Sequence, residues 1–196
     1  MATALAAVQG GATIVQLRDP MAKAGWLIEQ GRALLAVLKP LGVRLIINDR
    51  PDVAYAIGAD GVHVGQGDLP PEAARAILGP DAIIGLSITH PDEMAHVPWD
   101  IIDHIGVGPV LSRGVKADAA EPMGVSGLRL CIQRTRKPVV AIGGMTICAV
   151  PDIIAAGADG IAVVAAIAGA EDPEQAARAF RQAFDHQRKR SGRPGQ

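Results

Sequence analysis

Two acidic residues follow neighbouring apolar runs of the sequence, each at the point where the run ends. Asp49 stands in Asn48-Asp49-Arg50, and Asp68 closes Gly65-Gln66-Gly67-Asp68. If both runs are strands of one parallel sheet, the two carboxylates project from the same edge. Carboxylates held on separate elements suit a Mg²⁺ ion that keeps water and takes further ligands from a substrate phosphate. The alternative is that Asp49 caps the next helix and Asp68 sits in a turn.

Two consecutive glycines follow a later apolar run. Gly143 and Gly144 precede Thr146, which opens the next helical stretch. Backbone N–H groups at a helix N-terminus can bind an anion without charged side chains, and barrel enzymes place a phosphate site after strands seven and eight. A purely structural Gly-Gly turn fits the same pattern.

Gln16 and Arg18 alternate with apolar residues at the end of the first apolar run. We expect this run to be a buried strand and both side chains to point into the mouth of the fold. A buried arginine without a partner is costly. Arg18 therefore either pairs with an acid, such as Asp19 or Asp49, or binds a substrate phosphate.

Lys116 lies in a stretch, residues 112–124, that is punctuated by Gly and Pro. A loop this long after a strand is usually functional, and with Arg113 and Lys116 it could close over a pyrophosphate. A solvated loop without a role is the alternative.

The histidines and cysteines form no recognisable catalytic or zinc-binding motif. His63 lies within an apolar run and is expected to be a hydrogen-bonded core residue. His90 and His104 stand beside strand ends without a Ser or Cys nucleophile in a triad-like context, and no Cys/His cluster suggests zinc. Cys131 and Cys148 are expected to be core fillers.

Seven short runs rich in Val and Ile alternate with Ala-rich stretches of helical character. These runs are apolar on both faces, which is typical of parallel strands covered by helices. The predicted strands are residues 13–16, 45–47, 62–64, 83–86, 105–110, 139–142 and 161–167. The predicted crossover helices include residues 21–38, 71–78, 126–136 and 147–156.

The chain also repeats one αβ unit. Pro51-Asp52-Val53 leads to Gly58-Ala59-Asp60-Gly61-Val62, and the same pattern returns with Pro151-Asp152-Ile153 and Gly157-Ala158-Asp159-Gly160-Ile161. Residues 10–15 are a looser third copy. Each copy predicts a helix, a glycine in the left-handed conformation that ends the helix, and a strand.

Polar residues and glycines collect after six of the predicted strands, which indicates a barrel whose site is built at the carboxyl ends of many strands. No Gly-x-Gly-x-x-Gly motif follows the first run, which argues against a Rossmann fold. We therefore predict an α/β (β/α)8 TIM barrel, apparently lacking its first strand at the N-terminus. Residues 1–9 are predicted to be helical, and the missing strand is expected upstream of Met1. Residues 187–196 are expected to be a disordered basic tail.

Length and composition limit the remaining possibilities. The 196 residues, 49% of them hydrophobic, suit one domain of residues 1–186. The 19 basic and 20 acidic residues give a net charge of −1, so no nucleic-acid partner is expected. No uncharged apolar run approaches the roughly 20 residues of a membrane span. The two thiols and the absence of a leader predict a cytoplasmic protein with small-molecule partners; a homo-oligomer is left open.

Residues 10–173 resemble the thiamine-phosphate synthase (thiamine-phosphate pyrophosphorylase) family, in motifs whose order and spacing together are specific. These motifs are Gln16-Leu17-Arg18, Ile47-Asn48-Asp49-Arg50, Gly58-Ala59-Asp60-Gly61-Val62-His63-Val64-Gly65-Gln66 with Asp68, Gly85-Leu86-Ser87, Gly106-Val107-Gly108-Pro109, Lys116, Ala141-Ile142-Gly143-Gly144 and Gly157-Ala158-Asp159-Gly160-Ile161-Ala162-Val163.

The resemblance implies a transferase that joins 4-amino-2-methyl-5-hydroxymethylpyrimidine diphosphate to 4-methyl-5-(2-hydroxyethyl)thiazole phosphate. Thiamine phosphate and pyrophosphate are the products, and Mg²⁺ is the cofactor. The resemblance implies that Asp49 and Asp68 hold the metal and that Arg18, Ser87 and Lys116 are catalytic. The implied substrate-binding residues are Gln16, Arg18, Asn48, Ser87, Arg113, Lys116, Gly143, Gly144, Ala165 and Ala166.

Four positions depart from the family pattern. Pro20 stands where the family usually has a lysine, Arg113 and Val115 stand where two threonines are usual, and Ala165 replaces a serine. We expect Arg113 to restore the lost positive charge. The alternatives are an isomerase like the thiazole tautomerase of the same pathway, which is expected to have a histidine in the loop that here spans residues 109–116, or an inactive ligand-binding paralogue.

Overall fold

Seven short strands lie side by side in chain order, and every neighbouring pair is parallel. The computed structural model describes residues 1–111 and 121–192. The strands are β1 (Ile14–Leu17), β2 (Arg44–Asn48), β3 (Gly61–Val64), β4 (Ile83–Ile88), β5 (His104–Val107), β6 (Val139–Ile142) and β7 (Gly160–Ala162). The predicted number and direction of the strands are confirmed, in a curled, TIM-barrel-like half-barrel.

Helices or, between β4 and β5, a 3₁₀ segment connect successive strands of the sheet. The helices are α1 (Ala2–Gln9), α2 (Ala24–Leu38), α3 (Pro51–Ile57), α4 (Pro71–Leu78), α5 (Gly124–Gln133), α6 (Val150–Ala156), α7 (Ala165–Ala168) and α8 (Pro173–Arg190). Short 3₁₀ turns occupy Lys39–Leu41, Pro91–His96 and Ile147–Ala149. Parallel strands need such crossovers, and the covered inner strands are apolar for that reason.

The two close copies of the repeat end their helices as predicted. Gly58 after α3 has φ of 67°, and Gly157 after α6 has φ of 116°, so both are in the left-handed region. A glycine adopts this conformation without the steric penalty of a Cβ, and the chain can turn at once into the next strand.

An aspartate just before a strand binds the neighbouring strand at three places in the sheet. Oδ2 of Asp60 accepts a hydrogen bond from the N–H of Leu45 at 2.8 Å. Asp103 does the same for Ile84 at 2.8 Å and Asp159 for Val139 at 2.9 Å. The N–H of each aspartate also donates to the carbonyl oxygen of the residue that it binds. These paired bonds fix the register at the amino ends of the strands.

The first strand was expected to be buried, and it is not. Ile14 is 53% exposed, and Gln16 and Arg18 are also exposed. Because β1 pairs only with β2 within the described residues, it forms an edge of the sheet, and its side chains alternate between half-buried and exposed. The prediction of a buried strand at this position was therefore wrong.

The chain leaves two other strands earlier than predicted. β7 ends at Ala162, and Ala165–Ala168 is a helix, so the predicted strand over residues 161–167 is wrong beyond its first residues. Alanine favours a helix over a strand, which explains the change of structure. β5 ends at Val107, before Gly108 and Pro109. At the C-terminus α8 continues to Arg190, so the first part of the expected tail is helical.

The first and last of the described helices, α1 and α8, pack against each other although the described sheet does not close. β1 and β7 each pair with one neighbour in the described part of the chain, which leaves a gap between them. On the outside, α1 packs against α8, and a Cβ added at Gly10 would overlap Ala177. The guanidinium of Arg178 also lies within hydrogen-bond distance of the carbonyl oxygen of Gln9. A full eight-stranded barrel is thus not present in the described residues.

Among residues 1–111 and 121–192, no helix has the length and apolar character needed to cross a membrane.

Candidate active site

Asp49 follows β2 in a backbone conformation that non-glycine residues rarely adopt. Its φ is 61°, and its N–H donates to the carbonyl oxygen of His63 at 2.8 Å, which continues the pairing of β2 with β3. Residues in this region often occur at functional sites, where the surrounding structure holds them in place. The N-cap of α3 is Arg50, with no side-chain cap. The alternative that Asp49 caps this helix is therefore wrong.

Asp68 lies in the turn after β3, and its Oδ2 accepts a hydrogen bond from the N–H of Gly65 at 2.8 Å. The expected turn is thus present. The same carboxyl group also lies close enough to Asp49 to raise its pKa. Asp68 can therefore stabilise its own turn and face the end of β2.

The pKa of Asp49 is raised to about 6. Partial burial is the largest cause, followed by the hydrogen bond with Asp68 and by the negative charge of Asp68. The guanidinium of Arg18 and the side chain of Asn48 act in the opposite direction. These effects show that Arg18, Asn48, Asp49 and Asp68 lie close together. We call these four residues the acidic rim.

Ser87, on β4, is joined to two interior histidines. Its Oγ lies 3.0 Å from Nε2 of His63, and Nδ1 of His63 lies 3.3 Å from Nε2 of His104. The backbone of Ser87 is also bound, because Nε2 of Gln66 donates to its carbonyl oxygen at 2.8 Å. His63 is hydrogen-bonded as expected, but its partner is a candidate site residue. Sequence reasoning assigned no site role to His63, His104 or Gln66.

Two glycines make room for the histidine rings. Gly85 lies between His63 and His104 in the register of β3, β4 and β5, and a Cβ at Gly85 would overlap both rings. A Cβ at Gly106 would lie 2.8 Å from Cε1 of His63. A histidine opposite glycines on neighbouring strands is a signal that the sequence alone could have given.

Burial keeps both histidine rings neutral near pH 7. The pKa of His63 is lowered to about 4, chiefly by burial and then by the nearby His104, whereas the charge of Asp68 acts to raise it. The pKa of His104 is also lowered by burial, against the opposing charge of Asp103. Desolvation disfavours the charged form of an imidazole, so each ring carries one N–H.

The Gly143-Gly144 turn after β6 has a clear structural cause. The two φ values are 94° and 64°. A Cβ at Gly143 would lie 2.6 Å from Cα of Pro109, and one at Gly144 would lie 2.6 Å from the carbonyl oxygen of Leu111. The close passage of the segment after β5 thus requires glycine. Thr146 precedes a short 3₁₀ turn, Ile147–Ala149, which runs directly into α6 at Val150.

The remaining predicted site residues lie on β1 and α7 or outside the described residues. Gln16 is exposed on β1, and Ala165 and Ala166 form the first turn of α7, after β7. Arg113, Val115 and Lys116 lie outside the described residues.

The described residues contain no group of three or more His, Cys, Asp or Glu side chains that could hold a metal ion. Asp49 and Asp68 are a pair of hard oxygen donors at adjacent strand ends. Two carboxylates fit Mg²⁺, which usually binds one or two protein carboxylates and completes its shell with water and substrate phosphates. The chemistry of this pair therefore suits a metal that arrives with a phosphorylated substrate.

A family model and the sequences of known relatives indicate the same family for this chain. A family model described as thiamine monophosphate synthase matches residues 1–167. A thiamine-phosphate synthase from Xanthobacter autotrophicus is 55% identical over 183 residues, which are 93% of this chain and 87% of that protein. One from Azorhizobium caulinodans is 48% identical, over 93% of this chain and 86% of that protein.

A solved structure has the same fold. The thiamine phosphate pyrophosphorylase from Pyrococcus furiosus superposes with a TM-score of 0.87 at 34% identity, over 94% of this chain and 89% of that one. The similarity thus extends over the strands that carry the acidic rim and Ser87.

Proposed function

The chain belongs to the thiamine monophosphate synthase family, and on that premise we propose how its strand-end residues carry out the family's reaction. The enzyme is a transferase of thiamine biosynthesis. It condenses 4-amino-2-methyl-5-hydroxymethylpyrimidine diphosphate with 4-methyl-5-(2-hydroxyethyl)thiazole phosphate, and it releases thiamine phosphate and pyrophosphate.

The observation that carries the site assignment is the contact between Asp49 and Asp68 at the ends of β2 and β3, with Arg18 and Asn48 beside them. In the assigned site, Asp49 and Asp68 hold Mg²⁺. When bound, the ion neutralises the charge that develops on the departing diphosphate. The raised pKa of Asp49 is consistent with two carboxyl groups that share a site in which a cation would balance them.

Positive charge for the diphosphate comes from this chain's own residues. Arg18 offers a planar set of donors that can bind two phosphate oxygens at once, and Asn48 adds an amide N–H donor. Arg113 and Lys116 are assigned to the same group through the family resemblance. The cost of desolvating Arg18 is offset when its guanidinium binds the negatively charged diphosphate.

The pyrimidine lies against Ser87 and Gln16 in this proposal. Ser87 is held at both its hydroxyl and its carbonyl group, by His63 and Gln66, so its position is set before the substrate binds. Such preorganisation lowers the cost of orienting the pyrimidine methylene group for attack.

The thiazole phosphate is assigned to backbone N–H groups on the next strands. Gly143 and Gly144 follow β6, and Ala165 and Ala166 begin α7 after β7, on adjacent strands of the sheet. The first amides of a helix have no acceptor within the helix. Because Ala165 offers no hydroxyl, the phosphate is held here by backbone donors alone.

The reaction requires no protein nucleophile. Cations around the diphosphate stabilise it as it leaves, and the thiazole nitrogen then captures the pyrimidine methylene cation. The site must also exclude water until capture, because water would compete for the cation. The protein's contribution is thus mainly electrostatic stabilisation and orientation.

The test is an assay that mixes both substrates with Mg²⁺ and measures thiamine phosphate by chromatography. We expect product with both substrates and none when either is omitted. Conversion of a thiazole phosphate isomer without the pyrimidine diphosphate would support the tautomerase alternative instead. Binding of either substrate without turnover would support the inactive paralogue.

We also propose that an eighth strand fills the gap between β1 and β7 in the complete barrel. The packing of α1 against α8 and the half-exposed β1 support this proposal, because an unpaired edge is a liability in a folded protein. The free thiols of Cys131 and Cys148 support a cytoplasmic location.

A further inference from the structure

The hydroxyl group of Ser87 is the end of a hydrogen-bonded chain that runs through the inside of the half-barrel. The chain passes from His104 on β5 to His63 on β3 and then to Ser87 on β4, over distances of 3.3 and 3.0 Å. Gly85 and Gly106 leave the space that the rings occupy. A serine hydroxyl usually rotates freely and can donate or accept. Here the contact with His63 decides whether the hydroxyl group donates or accepts.

Only two arrangements of hydrogen atoms are compatible with these contacts. In the first, Nε2–H of His104 donates to His63, Nε2–H of His63 donates to Ser87, and the O–H of Ser87 points away from the histidines. In the second, every donor and acceptor is reversed, and His104 then carries its hydrogen atom on Nδ1. A hydrogen bond between two imidazoles requires one N–H and one bare nitrogen, so no mixed arrangement satisfies both contacts.

The two arrangements differ at Nδ1 of His104, the ring nitrogen at the far end of this series of hydrogen bonds. In the second, Nδ1–H of His104 needs an acceptor, and none of the described residues provides one within hydrogen-bond distance. In the first, Nδ1 of His104 is a bare acceptor and every imidazole N–H has a partner. The second arrangement therefore leaves an imidazole N–H with only solvent as an acceptor, whereas the first gives both imidazole N–H groups protein acceptors and leaves the hydroxyl hydrogen of Ser87 for solvent or substrate. The first arrangement is therefore favoured.

We propose that His63 and His104 are positioning residues that orient the hydroxyl hydrogen of Ser87 towards the substrate. Ser87 then donates to a hydrogen-bond acceptor, and the ring nitrogens of the pyrimidine are acceptors whereas its amino group is a donor. This assignment rests on the proposed function for the identity of the ligand. The direction of the hydroxyl group depends only on the two histidines.

The first test locates the hydrogen atoms directly in the ligand-free protein. Long-range ¹H–¹⁵N correlation spectra distinguish the two neutral forms of an imidazole, and the spectrum of His104→Gln assigns the signals. We expect the hydrogen atom on Nε2 in both His63 and His104. A hydrogen atom on Nδ1 of either ring would overturn the proposal. This measurement does not use the reaction, so its result stands whether or not thiamine phosphate is formed.

The second test compares two substitutions of His104 in the kinetic assay. Methionine fills the space without a donor, whereas the glutamine amide can place an N–H near the position of Nε2. We expect His104→Met to raise KM for the pyrimidine diphosphate about tenfold, with KM for the thiazole phosphate unchanged, and His104→Gln to recover most of the loss. The exposed His186, changed to Met, is the matched control.

Equal impairment of the Met and Gln variants would show that the ring acts only by packing and would overturn the positioning role. Melting temperatures of both variants separate this outcome from a folding defect. If the Met variant does not fold, the Gln variant and the positions of the hydrogen atoms still decide the question. Absence of product with the wild-type protein would instead refute the proposed function.

Discussion

The carboxyl group of Asp68 raises the pKa of Asp49 across the ends of two neighbouring strands, although 19 positions separate the two residues in the chain. Two carboxyl groups this close cannot both ionise without cost, and burial adds to that cost at Asp49. One of the pair therefore keeps its proton to a higher pH than an isolated aspartate does.

The first prediction is that Mg²⁺ binding, measured by calorimetry in the presence of pyrophosphate, strengthens as the pH rises through about 6, the pKa of Asp49. The proton must leave before the carboxylate can bind the ion, so affinity is low at more acidic pH. Asp49→Asn should bind weakly at every pH. A wild-type affinity that is the same on both sides of this pKa would contradict the metal assignment.

The second prediction concerns turnover. Asp49→Ala and Asp68→Ala should each lower kcat by about a hundredfold or more, because loss of a ligand removes several kcal/mol of charge stabilisation. Asp52→Ala is the matched control, since Asp52 is nearby and exposed, and its partner is Arg50. Circular dichroism should show intact folds. Near-wild-type rates of both variants in saturating Mg²⁺ would refute the role assigned to these residues.

The third prediction is that the metal-free protein loses stability as the pH rises from about 4 to about 6. The unfolded chain releases the Asp49 proton near its ordinary pKa of 3.8, whereas the folded protein keeps it to about 6. The folded state therefore binds more protons in this window, and the free energy of unfolding falls with rising pH. Because Asp49 is only half-buried, we expect about 1 kcal/mol after screening.

Urea denaturation at several pH values checks this prediction. Asp49→Asn should remove this contribution to the fall and should be more stable than wild type above pH 6. Asp81→Asn, which changes an exposed aspartate in the turn before β4, is the control. A wild-type profile that runs parallel to that of Asp49→Asn would show that Asp49 does not titrate differently on folding.

The fourth prediction concerns the aspartates at the amino ends of the strands. Asp159→Ala should lower the free energy of unfolding by about 1 to 3 kcal/mol, because the N–H of Val139 loses its acceptor. Asp159→Asn should lose less, since its amide oxygen can still accept. Both should keep wild-type KM values, because this contact lies at the opposite end of the strands from the site. Equal stability of the Ala variant and wild type would contradict the role of the aspartate.

The fifth prediction concerns Arg113, which lies outside the described residues. Arg113→Thr should lower kcat/KM for the pyrimidine diphosphate by about 1.5 to 3 kcal/mol, the range for a charged hydrogen bond. Lys in place of Pro20 should recover part of the loss. Arg129→Thr, on the exposed face of α5, is the control. Unchanged kinetics for both substrates would mean that Arg113 does not contact the diphosphate.

The seven strands and the acidic residues after β2 and β3 could be predicted because each leaves a local pattern in the sequence. An apolar run, a glycine and a following aspartate need no knowledge of distant residues. The exposure of β1 could not be predicted in this way, since it depends on which strand lies beside it. The helix at Ala165–Ala168 was also missed, because a short apolar run does not distinguish a strand from a helix.

The series of hydrogen bonds from His104 to Ser87 was missed for a different reason. Its members are 41 and 24 residues apart, and their contact follows from the register of three strands. Each histidine, taken alone, looks like an ordinary core residue. The one local signal is the pair Gly85 and Gly106, whose missing side chains create the space for the rings.

The contact between α1 and α8 also bears on the order in which the protein folds. Gln9 and Arg178 lie 169 residues apart, so their contact closes almost the whole chain into a loop. Contacts of such long range form late, because the entropy of loop closure must be overcome first. During synthesis α1 leaves the ribosome before α8, so α1 stays without this partner until the residues of α8 have been made. Nascent chains that end before α8 should therefore be more open to proteases and chaperones than the finished protein.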